Sequence, residues 1–95
     1  MVVGSAKLTL KASWVRSLKE KRMIVKSIIG KTRNTFNVSM NEVEEMDTHQ
    51  TIVIGLSCTS NSNATVNSTL DQILNYIESN FETELRDVET DIFTF

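Results

Sequence analysis

The chain has 95 residues, of which 40% are apolar and 23% are charged, values typical of one globular domain with a single modest core. One cysteine excludes an internal disulfide, no Cys/His spacing fits a zinc site, and no apolar run reaches the roughly 18 to 20 residues of a membrane-spanning helix. The net charge of −2 conceals an asymmetry, because residues 1–36 hold nine of the ten Lys and Arg but only one of the twelve acids.

Residues 2–12 alternate apolar and polar side chains, with the even-numbered positions on the apolar side. A period of two with one apolar face predicts a half-buried strand. A secretory signal would instead have a basic start followed by a continuous apolar block, so we expect a cytoplasmic protein.

A helix of about 16 residues is predicted to follow, from Ser17 to near Asn34. Ser17 and Glu20 have the spacing of a capping box, in which the serine accepts from the amide of the third helical residue and the glutamate reaches back to the Ser17 amide. Residues at helical spacing form an amphipathic stripe: Leu18, Ile24, Val25, Ile28, Ile29 and Thr32.

Residues 36–45 predict a weaker strand. Val38 and Met40 share one face whereas Val43 falls on the other, so we expect a bulge or bend near Asn41. Its acidic residues suit an exposed edge strand that is protected against pairing with other chains.

Three further elements complete the chain after a polar hairpin loop at residues 46–49. Alternation returns over residues 50–60, a Ser/Asn cluster then marks a helix start, and apolar residues at helical spacing continue to about residue 80. Residues 83–95 predict a closing strand, whose inward residues are expected to be Val88 and Ile92.

The predicted order β-α-β-β-α-β defines the fold class. Right-handed crossovers place both helices on one face of a four-stranded antiparallel sheet. We therefore predict an α+β, ferredoxin-like βαββαβ sandwich, formed by residues 1–95 as a single domain, with the first and third strands central.

No residue pattern indicates catalysis. His49 falls in the predicted loop near Glu45 and Asp47, where a base, a weak metal site and a solvated surface residue are all open interpretations. Cys58 falls on the apolar face of a central strand, where a thiol behaves as a small hydrophobe. We expect a non-enzymatic protein with no catalytic residue, cofactor or metal.

The acids of the last strand offer an explanation of the charge asymmetry without a ligand. Asp87, Glu89 and Asp91 alternate, as on a solvated face. If this strand lies beside the first, Lys7 and Lys11 meet the row as cross-strand ion pairs.

The first helix carries the strongest functional signal. Four cations fall within about 60° of arc beside the apolar stripe, at Lys19, Arg22, Lys26 and Arg33. Such cations repel one another, and those in the first turn oppose the helix macrodipole at a cost of roughly 0.3–1 kcal/mol each. A phosphate would remove both costs. The alternative is pairing with Glu20 or with acids elsewhere.

The aromatic content argues against recognition of single-stranded RNA by stacking on the sheet, because the open face offers no aromatic pair like that of an RNA-recognition motif. Trp14, beside the basic segment, is the one candidate platform. Its alternative role is packing over the end of the helix.

Three segments carry a family resemblance: the opening MVVG, VRSLKEKR from Val15 to Arg22, and FNVS from Phe36 to Ser39, followed by an E-V pair. Together they resemble the YlxP-like family, a bacterial domain of unknown function. The resemblance covers essentially the whole chain and is weaker after about residue 60.

The resemblance implies a small cytoplasmic protein with a ferredoxin-like fold. Genes of this family often lie among those of translation and ribosome-maturation factors, which implies a ribosome-associated or RNA-related role. No catalytic residue set is established for it. The resemblance carries over the basic segment as a shared surface, formed by Arg16, Ser17, Lys19, Lys21 and Arg22.

Two functional hypotheses follow, neither of which involves a membrane. In the first, the protein contacts structured RNA or a ribosomal particle through Arg16, Ser17, Lys19, Lys21, Arg22, Lys26 and Arg33. In the second, it is a protein–protein interaction or homodimerisation module that uses an edge strand or the open sheet face, where Val3 and Val53 lie.

Overall fold

The structure, a computed structural model, describes residues 1–95 and contains six elements in the predicted order. They are β1 (Val2–Lys11), α1 (Leu18–Thr35), β2 (Ser39–Glu44), β3 (Thr51–Ser60), α2 (Asn63–Asn80) and β4 (Glu84–Thr94). The strands form one antiparallel sheet in the order β2-β3-β1-β4, and the helices pack on one of its faces. The predicted α+β, ferredoxin-like fold with β1 and β3 central is confirmed.

β1 is the centre of the sheet, pairing with β3 on one side and β4 on the other. Its even-numbered residues are buried and its odd-numbered ones half-buried, as the alternation predicts. The same face of β3 buries Ile52, Ile54, Leu56 and Cys58. A single core of 17 buried residues lies between this face and the helices.

Each helix begins at a serine N-cap. The Ser17 hydroxyl accepts from the Glu20 amide at 3.1 Å, and the Ser62 hydroxyl accepts from the Thr65 amide at 3.4 Å. The Glu20 carboxylate accepts from the Arg16 amide at 3.2 Å, one residue before the predicted Ser17 amide. Both helices have 18 residues, so α1 is slightly longer than predicted.

The edge strand β2 contains a bulge at Val43, two residues beyond the predicted Asn41. Glu42 lies opposite Ile54 and Glu44 lies opposite Val53, which leaves Val43 as the extra residue. The extra residue reverses the alternation, so that Glu42 points to the helix side of the sheet and Glu44 to the open face.

β4 forms the other edge and also contains an irregularity. Thr9 lies opposite Asp87 and Leu10 lies opposite Leu85, which leaves Arg86 as the extra residue. Leu85 thereby packs against the core. The predicted inward residues, Val88 and Ile92, pack there as well.

Gly4 permits the close approach of α2 to β1. A Cβ added at Gly4 would lie 2.3 Å from Val66 Cγ1, closer than packed atoms can come, and 3.2 Å from Leu70 Cδ1, which is a tight contact. The helix can therefore rest on this strand because position 4 has no side chain.

Gly4→Ala is expected to lower the free energy of unfolding by about 1–3 kcal/mol, because the added methyl overpacks the contact with α2. Gly30→Ala is the matched control, since an added Cβ there meets no atom within 4 Å on the exposed side of α1. It should raise the free energy of unfolding by about 0.5–1 kcal/mol. Urea denaturation measures both, and an unchanged stability of Gly4→Ala would contradict the close approach.

Candidate nucleic-acid interface

The exposed cations of α1, together with Arg16 just before it, make no ion pair within the protein. The ion pairs of the structure involve Lys7, Lys21 and Arg86 as the cations. The remaining cations around α1 are all exposed: Arg16, Lys19, Arg22, Lys26, Lys31 and Arg33. The alternative that this group pairs with Glu20 or with other acids is therefore wrong.

Four of these cations form a surface that we call the basic stripe: Lys19, Arg22, Lys26 and Arg33. They lie on one flank of α1 and extend for about 21 Å along its axis. Lys31 lies on the opposite flank, where its ammonium is 5.8 Å from the centre of the Phe81 ring and its carbonyl accepts from the Tyr76 hydroxyl. Because that flank faces α2, the basic stripe faces away from α2, on the side of the β2 edge.

A polar recess lies at the distal end of the basic stripe. It has a volume of about 450 Å³ and is lined by Arg33 and residues 37–41. Consecutive residues of an extended segment point in opposite directions, so a recess lined by all five lies at the outer edge of β2. Its lining contains a guanidinium, two amides and a hydroxyl but no carboxylate, which keeps this end of the surface receptive to anions.

The helix start is less open to an anion than the sequence suggests. The Ser17 hydroxyl is already engaged as the N-cap, and the Glu20 carboxylate lies beside the Arg16 amide. A carboxylate at this position satisfies part of the positive end of the helix dipole. The exposed side chains of the basic stripe, rather than the helix amides, therefore form the cationic surface.

Lys21 does not belong to that surface. Its side chain is 1% exposed, so the expectation that it forms part of an exposed basic segment is wrong. Lys21 shares the buried side of α1 with Val25, Ile28 and Thr32. The centre of this buried line lies nearer to Lys21 than the centre of the predicted apolar stripe does.

The Lys21 ammonium meets the β2–β3 hairpin. It lies 3.0 Å from Glu42 Oε2 and donates a hydrogen bond to the Glu45 carbonyl. Glu42 Oε2 accepts no hydrogen bond, so its contact with Lys21 is an ion pair without hydrogen-bond alignment. Glu42 faces the helices because it continues the alternation of the buried Met40, and the bulge at Val43 then turns Glu44 to the open side.

Lys7 is held at the centre of the open sheet face. Its ammonium lies 3.2 Å from Glu44 and 3.2 Å from Glu89, which confirms the predicted pairing of Lys7 with the β4 acids. Hydrogen bonds to Glu44 and then Glu89 raise the pKa of Lys7 above its ordinary value. Lys11, opposite Glu84, makes no ion pair, so that half of the prediction is wrong.

The remaining candidates lie apart from one another. His49 is exposed in the hairpin loop, whereas Cys58 is buried, and burial raises the pKa of its thiol. No three His, Cys, Asp or Glu side chains come together as a metal site. Neither helix combines the length and apolar character needed to cross a membrane.

The fold and the basic stripe together define a small α+β protein with a cationic helix surface. Residues 3–90 match the family described as "Protein of unknown function (DUF503)". The "Uncharacterized protein YlxP" of Bacillus subtilis (strain 168) is 36% identical over 77 residues, which cover 81% of this chain and 84% of that protein. The chain therefore belongs to the DUF503 family, and the predicted YlxP-like membership is confirmed.

Two solved structures of designed proteins are also similar. The "De novo designed protein Foldit4" has a TM-score of 0.51 and 15% identity, with 99% of this chain and 97% of the designed chain covered. The "De novo designed protein Ferredog-Diesel" has a TM-score of 0.42 and 13% identity, with 92% and 83% covered. At such identities the likeness to Foldit4 concerns the fold alone.

The buried pair of Lys21 and Glu42 leads to a stability prediction. Lys21→Met should lower the free energy of unfolding by about 3 kcal/mol, because it leaves the Glu42 carboxylate without its cation. Adding Glu42→Gln should restore at least half of this loss. Lys19→Met is the exposed control and should change stability by no more than about 0.5 kcal/mol. Urea denaturation of all four proteins measures these changes in stability, and equal effects of Lys21→Met and Lys19→Met would contradict the buried pair.

Proposed function

We propose that the protein is a non-enzymatic, cytoplasmic, RNA-associated protein that contacts structured RNA or a ribosomal particle through Arg16 and the basic stripe. The observation that carries the proposal is the set of exposed cations on one flank of α1, none of which is within 4 Å of a carboxylate. Contacts from such side chains to phosphates position a protein on RNA without reading its sequence.

Folding gives a reason for Arg33, whose charge in the last turn suits the helix dipole, but none for Lys19, Arg22 and Lys26. Like charges on neighbouring helical turns destabilise a helix, and Lys19 also opposes the helix dipole. Lys7 and Lys21 show that this chain neutralises cations with acids from its second half where it needs to. Cations that break a local rule without compensation are expected at functional sites.

The overall acidity of the chain does not prevent a local cationic surface. A row of acids lies on β4: Glu84, Asp87, Glu89 and Asp91. β4 and β2 are opposite edges of the sheet, separated by about 14 Å across three strand spacings. This exceeds the Debye length of roughly 8 Å at physiological salt, so the row acts weakly on the far side of the molecule.

The proposal is tested by the salt dependence of RNA binding. Lys19→Gln/Arg22→Gln should weaken binding to a labelled RNA hairpin, and the slope of log affinity against log salt should flatten by about 1.4–1.8, corresponding to two lost phosphate contacts. Lys11→Gln/Lys31→Gln removes the same charge outside the basic stripe and serves as the control. Fluorescence anisotropy measures the hairpin, and co-sedimentation across the same salt series measures ribosomal particles.

The control variant should keep the parent slope, because neither of its positions lies on the basic stripe. Binding by the parent that does not depend on salt would contradict the proposal. So would a slope that changes equally in the two double variants, since net charge rather than the basic stripe would then determine binding.

Self-association is the second candidate, and the exposed aromatic residues at one end of the sheet favour it. Phe93 and Phe95 are 45% and 81% exposed, and their ring centres lie 5.8 Å apart. Val53 does not contribute, because it is only 4% exposed. Symmetric pairing of two β4 edges would bring their acid rows together, which disfavours that form of dimer. The aromatic patch is therefore the better surface for a homodimer.

Sedimentation velocity at two protein concentrations tests this candidate. If the patch mediates self-association, the parent should sediment as a dimer at the higher concentration and Phe93→Asp should sediment as a monomer at both. Lys19→Gln/Arg22→Gln should not change the sedimentation. A monomeric parent throughout would contradict self-association.

A further inference from the structure

The loop between β1 and α1 is held in place on both sides of Trp14. The Gln50 amide donates to the Ser13 carbonyl at 2.9 Å and to the Val15 carbonyl at 3.2 Å. These are the residues directly before and after the tryptophan. The Val15 side chain is 1% exposed, so the loop is also anchored in the core.

The hydrogen bonds continue around this anchor. The Ala12 amide donates to the Gln50 carbonyl at 2.8 Å, and the Arg16 amide donates to the Glu20 carboxylate. Gln50 therefore uses both its backbone and its side chain on one short loop. A loop fixed in this way loses little conformational entropy when it binds a partner.

The fixed loop presents Trp14 to solvent. The side chain is 43% exposed, whereas tryptophan is highly buried on average in folded proteins. Hydrogen bonds from Gln50 hold the backbone on both sides of Trp14, yet a large part of the indole lies outside the core. This is the arrangement expected of a contact residue, not of a residue that completes the packing.

Cations surround the position of Trp14 in the sequence. Arg16 lies two residues away, within about 7 Å along the chain, and Lys19 begins the basic stripe one helical turn further on. Arg16 is exposed and without an acidic partner. An aromatic face next to unpaired cations is the combination that binds a nucleobase together with its backbone phosphates.

We propose that Trp14 is a stacking platform for an unpaired nucleobase of RNA, while the neighbouring phosphates contact Arg16 and the basic stripe. The inference rests on the proposed function and narrows its substrate class. Bases inside a continuous duplex are already stacked, so the preferred RNA carries a loop, bulge or single-stranded end beside its duplex.

The test uses the fact that Trp14 is the only tryptophan of the chain, so intrinsic tryptophan fluorescence reports on it alone. The unaltered protein is titrated with two RNA hairpins that have the same stem and the same number of phosphates. One carries loop bases and the other has an abasic loop. Stacking predicts quenching by the first hairpin only, and an affinity at least about five-fold higher for it.

Variants give a second readout by anisotropy with labelled hairpins. Trp14→Leu should lose about five-fold or more in affinity for the hairpin with loop bases and should bind the abasic hairpin like the parent. Trp14→Phe should retain most of the affinity, because it keeps an aromatic face. Phe93→Leu is the matched control, since Phe93 is exposed to a similar extent at another place, and it should bind both hairpins like the parent.

The outcomes separate this inference from the proposed function. Salt-dependent binding of both hairpins with equal affinity and no quenching would overturn stacking by Trp14 and leave the basic stripe as the RNA contact. No binding of either hairpin would overturn both proposals. It is the result expected if Trp14 contacts a protein partner instead of RNA. Because the comparison of hairpins uses the unaltered protein, it does not depend on the folding of any variant.

Discussion

The buried contact of Lys21 with the β2–β3 hairpin is the interaction on which the arrangement of this surface depends. An ammonium that is 1% exposed is tolerated only where an acid and a hydrogen-bond acceptor meet it, and here Glu42 and the Glu45 carbonyl do so. This fixes the rotation of α1 about its own axis, with position 21 inward. The cations at Lys19 and Arg22, on either side of it in sequence, are then directed outward. An apolar residue at position 21 would be buried at a lower desolvation cost than the ammonium. It would not, however, select one partner on the hairpin.

The same contact explains how an acidic protein keeps an uncompensated basic surface. The second half of the chain supplies acids to two lysines only, Lys21 inside the molecule and Lys7 at the centre of the open face. Both pairings use strand geometry, because the bulge at Val43 directs Glu42 and Glu44 to opposite faces of the sheet. The charge asymmetry of the sequence is thus divided into an internally paired part and an unpaired part. Four of the seven unpaired cations of the first half lie on one flank of α1, as the basic stripe.

Periodicity predicted most of the fold but only part of the site. The alternation in β1 and β3 and the N-cap serines are local signals, and the structure confirms them because one buried face leaves a single register for each strand. The sequence does not predict the burial of Lys21, because a helical wheel treats lysine as polar and its partner Glu42 is 21 residues away on an edge strand. The one available signal was its spacing of four from Val25 and seven from Ile28. Which cations remain unpaired is a property of the assembled sheet, and no local pattern encodes it.

The hairpin loop connects the two parts of the candidate interface. At its first residue, Glu45, the carbonyl accepts from Lys21 and so joins the loop to α1. At its last residue, Gln50, the amide holds the carbonyls on both sides of Trp14. The indole lies in the loop between β1 and α1, whereas the basic stripe lies on α1. The short segment between them does not by itself fix the position of one relative to the other. Because one hairpin contacts both, the distance between an aromatic face and a line of cations is set by the folded structure before any partner arrives. Such preorganisation is what a surface needs if it is to recognise a base and its phosphates together.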